Sequence, residues 1–157
     1  MNQSSALPNS GHAGIATAAA APVTSDDPVH CVVIIDDALP RWLAANTAAV
    51  LGVALGGHGL IEIGPGLPDA EGEHHPGIGT MPLPVLTAQR EELSALRTKA
   101  RELGLYVIDF NDAARQSRNY DEYKEKLSGK PVGYLGLALY GKKQAIRSIA
   151  GNLKSLR

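Results

Sequence analysis

Apolar residues fall into ordered runs only after His30. Cys31-Val32-Val33-Ile34-Ile35 is an unbroken, mostly β-branched run closed by Asp36-Asp37. A strand apolar on both faces is normally buried on both, as in a sheet covered by helices. Asp37 is placed to cap the next helix, and Pro40 suits its first turn. That helix is predicted from about Pro40 to Leu55, stopping at Gly56-Gly57. It is apolar nearly all round, so its second face must lie deep or meet a partner subunit.

Glycine takes eight of the 25 residues from Gly56 to Thr80, which predicts a long irregular loop with a short strand at Leu60–Ile63. Met81 to Leu86 reads as the next strand. Pro82 and Pro84 both lack a donor on the same side, which places it at a sheet edge. A helix follows from Thr87 to about Leu103, with Leu93, Leu96, Ala100 and Leu103 as its stripe and Gly104 as its stop. Leu105 to Phe110 is a third strand. Asn119-Tyr120-Asp121-Glu122 resembles a capping box and opens a short helix closed by Gly129. Gly133 to Tyr140 is a fourth strand, in which Gly136 lets another group approach the backbone. A last helix follows Gly141, with Ile146, Ile149, Leu153 and Leu156 inward. The alternation predicts an α/β fold: a three-layer α/β/α sandwich around a mixed sheet of about four strands. Two successive βα units favour parallel pairing of the first three strands, and the fourth strand's direction is open.

Residues 1–28 lack this order. They are rich in Ala, Ser, Pro and Gly, with no Lys or Arg before Arg41, and are expected to form a loose N-terminal arm before a single α/β domain at 29–157. The run Ile15–Ala21 is too short and polar for an export signal, and no apolar stretch approaches membrane-spanning length. The formal charge of −1 argues against coating nucleic acid by bulk charge, and one Trp and one Phe leave little for base stacking. A single Cys excludes a disulfide framework and suits a reducing compartment, so a cytoplasmic protein is expected.

Candidate chemistry gathers at predicted strand ends, where α/β sheets usually hold ligands. Asp36 and Asp37 can bind a cation or act as a base, or simply cap the helix and meet solvent. Asp109, ending the third strand, is a second candidate base, or else an ordinary turn carboxylate. Gly141-Lys142-Lys143 joins a strand to a helix N-terminus with two amines, a pattern suited to an anion, although it lacks P-loop spacing. Asn46 and Thr47 are the polar pair in the apolar helix, and Asn46 either bonds the loop or lines a cleft. The loop histidines and acids (His58, Asp69, Glu71, Glu73, His74, His75) include metal-ligand types without a fixed motif, so no metal or cofactor is assigned. Cys31 reads as a small core residue. After Glu125 there are seven bases and no acid, which leaves a basic layer able to meet phosphates.

The stretch from His30 to Arg157 resembles the bacterial family known as domain of unknown function 2000. The residues that carry this are Val33–Asp37, Leu43-Ala44-Ala45-Asn46, Pro84-Val85-Leu86, Asp109-Phe110, the Tyr120…Tyr123 pair, Leu137 to Lys143, and Gly151-Asn152-Leu153. That family in turn looks like the type 2 peptidyl-tRNA hydrolases, through the helix at Leu43–Asn46 and the ending at Gly141 and Ala150–Leu153. The resemblance implies a mixed four-stranded sheet with helices on both faces, and often a homodimer. The hydrolases' Gly-Lys falls near Arg41-Trp42, and their Asp-Ala-Gly-x-Thr falls on Asp109–Ala113 with only the Asp kept. Ester cleavage needs an activated water and an oxyanion partner, so the missing parts speak against that activity.

The expected function is therefore a small-ligand or partner-binding domain without peptidyl-tRNA hydrolase activity. Its site would use the cleft between Asp36, Asp37, Asp109, Asn46 and the Gly-rich loop, with the Gly141-Lys142-Lys143 turn gathered around the same hollow. Two alternatives stand beside it. One is a diverged hydrolase of acyl or phosphate esters with Asp109 as base, Asn46 as orienting group and the Lys142 turn holding the anion. The other is a tRNA- or RNA-associated protein using the basic C-terminal layer. Whether the chain is an enzyme stays open.

Overall fold

The computed structural model describes residues 28–157. The arm expected over 1–28 lies outside the described residues, apart from Pro28. The apolar run is the interior of β1 (Val29–Asp36), where every residue from Cys31 to Asp36 is buried. Helix α1 (Arg41–Gly57) follows, then a hairpin of β2 (Leu67–Pro68) and β3 (His74–His75). The chain continues through β4 (Val85–Ala88), α2 (Arg90–Glu102), β5 (Tyr106–Asn111), α3 (Asp112–Arg115) and α4 (Tyr120–Gly129). It ends with β6 (Tyr134–Lys142), α5 (Lys143–Ala150) and β7 (Lys154–Ser155).

The main sheet has five strands in the order β5-β6-β1-β4-β7, against the expected four. β1 and β4 pair in parallel, whereas β6 runs antiparallel to both β1 and β5. The three strands expected to pair in parallel thus share a direction, but β6 separates β5 from β1. The fifth strand arises where a longer final helix was expected. α5 ends at Ala150, and the residues beyond it pair Lys154 with Thr87 on the outer edge of β4. An open strand edge is a row of unpaired backbone groups, and this short strand satisfies part of it. Pro82 and Pro84 act through their carbonyls: Val33 N–H donates to Pro84 O at 2.9 Å, and Cys31 Sγ donates to Pro82 O at 3.3 Å.

Helices flank the sheet on both faces. α1 lays Leu43, Thr47, Leu51 and Leu55, spaced by four, against Val33, Ile35 and Ala138. α2 and α5 cover Val32, Ile34, Leu137 and Leu139 on the opposite face through Leu93, Ala100, Ile146 and Ile149. Gly104 (φ 72°) ends α2's turn as anticipated, while Leu103 falls just past the helix and is 45% exposed. Asp37 does not cap α1. The capping position is Pro40, and Asp37 is exposed. Asn119 does cap α4, accepting from Glu122 N–H at 2.9 Å, while Glu122 accepts from Arg118 N–H instead of closing a full capping box.

The Gly-rich loop is a built hairpin. Its tip is held by Asp69, whose Oδ2 lies 3.1 Å from His75 Nε2 and whose Oδ1 accepts from Glu71 and Glu73 N–H at 2.9 and 3.0 Å. The His75 bond, then the two amides, hold the Asp69 carboxyl below its ordinary value of 3.8. A lowered folded value means the carboxylate supports the tip above 3.8 and loses that support as pH falls through the folded value. NMR titration should therefore place the Asp69 midpoint below 3.8, with the Glu71 and Glu73 amide resonances shifting in step. A midpoint at or above 3.8 would contradict the bonding described.

Candidate functional site

Three features stand out: two polar clusters where β1 and β5 finish, and a groove that runs along β5 toward Tyr106. The first is a carboxylate–guanidinium latch. Asp36 is 3% exposed. Its Oδ1 accepts from Ala38 N–H at 2.9 Å, and its Oδ2 lies 3.5 Å from the Arg90 guanidinium. Arg90 donates its other nitrogen to Asp112 at 2.7 Å, and this bond, more than the Asp36 charge, raises the guanidinium's affinity for its proton. Three segments that are distant in sequence are thereby tied together: the β1 tip, the start of α2 and the start of α3. The Asp36 charge is compensated and buried, which suits a structural tie more than a base.

Asp109 forms the second feature. Its Oδ2 accepts from Arg97 Nε at 2.9 Å and its Oδ1 from Asn111 Nδ2 at 2.9 Å. Arg97 also lies over the Tyr134 ring, 5.2 Å from its centroid. Asn111, 1% exposed, caps α3 by accepting from Ala114 N–H and reaches the Tyr123 hydroxyl at 3.3 Å. A register shift between Phe110 and Asn111 marks the strand end where this occurs. Both Asp109 oxygens are thus engaged, and the Asp109–Asn111–Tyr123 chain carries their order to the third feature.

That feature is a groove of about 420 Å³ between the C-terminal half of α1, the surface of β5, and the α3–α4 segment. Leu51, Ala54, Ile108, Phe110 and Ala114 give it an apolar floor, with His58, Ser117, Arg118, Tyr120 and Tyr123 around it. His58 is held by Tyr106, whose hydroxyl lies 3.3 Å from Nδ1 with the rings 5.7 Å apart. At the other end Tyr120 and Tyr123 meet edge to face, 5.5 Å between centroids. Local bonds set the α3–α4 wall: Ser117 Oγ donates to Ala113 O at 2.7 Å, Lys126 Nζ to Gln116 O, and Asn119 caps α4.

The residues named from sequence do not share one hollow. Asp36 and Asp109 lie at the same end of the sheet, and only Asp109 borders the groove. Asp37 lines a separate hollow with Thr87 and Lys154. Asn46 is exposed on the outer side of α1. The buried polar residue there is Thr47, whose hydroxyl has no partner among the described residues. Lys142 pairs with Val29 at the far end of β1, roughly 20 Å from Asp36 at about 3.3 Å per residue. Gly141 is packed beneath Leu105, where a Cβ would come 2.6 Å from Leu105 Cδ2. The basic residues are divided too, because Lys126 and Lys130 line a hollow beside Asp112 at the Asp36 end. Sequence reading missed His58, Arg118 and Tyr123 as groove residues. The Tyr120…Tyr123 spacing on a capped helix was the available signal. Among the described residues, no three His, Cys, Asp or Glu side chains gather as a metal site, and no helix is long and apolar enough to cross a membrane.

The family model described as "Protein of unknown function (DUF2000)" matches residues 29–157. The chain belongs to this family. Its fold is similar to that of a solved member of the protein universe from Agrobacterium tumefaciens strain C58, the "Protein of Unknown Function Atu0240". The two share 19% identity with a TM-score of 0.72, over 82% of this chain and 98% of that one. At that identity the likeness is one of fold. No curated protein matches the chain. The groove and the two polar clusters beside it all lie within the matched stretch 29–157.

Proposed function

We propose that this DUF2000 chain is a small-ligand-binding α/β domain whose ligand lies in the α1–β5–α4 groove. The observation that carries this is the groove's make-up: an apolar floor ringed by a few convergent polar groups, at a volume within the usual range of about 300–1,000 Å³. A flat, partly aromatic molecule fits it, resting on Leu51, Ile108 and Phe110 with a polar end toward His58 or Arg118. Binding alone is proposed. Asp109 is saturated by Arg97 and Asn111, and the Lys142 amine stands at the other end of the sheet, so the base and the anion-holding turn expected from the sequence do not converge. The same separation, with Arg41-Trp42 and Ala113 where the hydrolases carry Gly-Lys and Thr, speaks against peptidyl-tRNA hydrolysis. The buried, lone thiol of Cys31, pushed upward by burial, suits a cytoplasmic setting.

A thermal-shift and ligand-observed NMR screen of aromatic and heteroaromatic acids tests this reading. Ala54→Trp, which fills the floor, is expected to weaken any hit by about tenfold or more while circular dichroism stays native. Hits that bind Ala54→Trp as well as wild type would move the site elsewhere.

We also propose a homodimer through the outer face of α1. Trp42 and Val53 are 67% and 77% exposed, and Ala45, Asn46, Ala49, Gly56 and Gly57 complete an exposed face with no charge. A helix face of this kind is unusual in a monomer, and small residues let two helices approach closely. Sedimentation is expected to show a dimer that Val53→Glu dissociates, raising Kd by about tenfold or more. A wild-type monomer at high concentration removes this reading.

A further inference from the structure

Helix α5 has eight residues, about 12 Å, and packs on β1 and β6. Beside it, against the Pro84–Leu86 end of β4, lies a groove of about 300 Å³ on the face of the sheet opposite α1. The floor is apolar: Val32, Leu86, Ile146 and Ala150. The rim is basic. Lys143 and Arg147 stand one turn apart on α5, and His30 faces them from β1. Among the described residues no acid lines the groove, and no ion pair uses Lys143 or Arg147. The first amide of α5, Lys143 N–H, already donates to Pro28 O at 3.0 Å. With that amide already bonded, the side-chain cations Lys143 and Arg147 carry the charge of the site.

We propose that this groove binds a small carboxylate with a short apolar tail, the carboxylate held between Lys143 and Arg147 and the tail laid on Val32, Leu86 and Ile146. A guanidinium fork matches a carboxylate, and an adjacent ammonium adds a second charge-assisted bond. A volume near the low end of ligand pockets, on the order of 300 Å³, favours a short chain over a long-chain lipid. The site is independent of the α1–β5–α4 groove, which lies across the sheet.

Isothermal titration of the full chain with octanoate, at neutral pH and low salt, tests the proposal. The expected result is saturable one-site binding that Lys143→Gln with Arg147→Gln weakens by about tenfold or more. Lys99→Gln with Arg101→Gln, on exposed positions of α2, should leave it unchanged, and octyltrimethylammonium should not bind. Circular dichroism confirms that these surface variants fold. Absence of octanoate binding overturns the proposal, as does equal binding by the Lys143/Arg147 variant or by the cationic analogue.

Discussion

Replacing Gly136 with alanine is expected to lower the unfolding free energy by about 3 kcal/mol, or roughly 10 °C in midpoint. Gly136 lies in β6, between β1 and β5, under the middle of α1. A Cβ there would stand 2.7 Å from Thr47 Cγ2, 3.1 Å from the Ile34 carbonyl oxygen and 3.2 Å from Ile35 Cγ2. These neighbours have little room to give. Thr47 is fully buried and stiff at its branched carbon, and the Ile34 oxygen belongs to the backbone of a central strand. The helix must lift off the sheet or the strands must part. Thr47→Ser removes the nearest methyl, so the double variant is expected to regain about 1 kcal/mol relative to Gly136→Ala. Urea unfolding of wild type, both single variants and the double variant gives the four free energies. An unchanged midpoint for Gly136→Ala would mean that α1 does not seat on this glycine.

The second large effect is expected at the strand-tip latch. Arg90→Met should cost about 3 kcal/mol, because it leaves the Asp36 carboxylate buried with only the Ala38 amide to answer it. Asp112 contributes less, since its side chain is 30% exposed and water can replace the lost nitrogen. Removing the stranded charge should recover most of the loss, so Asp36→Asn in the Arg90→Met background is expected to be the more stable of the two. Denaturant unfolding decides it. If Arg90→Met stays within about 0.5 kcal/mol of wild type, the ordinary range for surface substitutions, the latch is not a structural tie.

These two positions also hold the two proposed binding surfaces in place. Gly136 sets how closely α1 approaches the sheet, and α1 forms one wall of the aromatic groove and the exposed face proposed for a second copy. The latch fixes the start of α3, from which the opposite wall runs through Ser117 to Tyr123. Loosening either one should therefore weaken ligand binding as well as stability, although neither residue lines the groove.

Much of the framework was legible in the chain. The β-branched run at Cys31–Ile35 demanded cover on both faces and has it. Gly56-Gly57, Gly104 and Asn119 mark element ends, and Gly136 was legible as a place of close approach. These features depend on local backbone preference or on the period with which apolar residues recur, so a single sequence carries them. Strand order, partners and cavities belong to the tertiary structure. Nothing local says that β6 enters between β1 and β5, and that insertion reverses a strand and sends Lys142 to the far end from Asp36. Nothing near Asp109 announces Arg97, one helix away, which turns an apparent free carboxylate into a paired one. The C-terminal residues follow a helical apolar pattern through Leu156, yet the unpaired edge of β4 draws Lys154 and Ser155 into a strand. Period and propensity describe what a segment does with its own neighbours. Charge compensation, edge pairing and the space between elements depend on which distant segments meet, and that is decided only when the whole sheet closes.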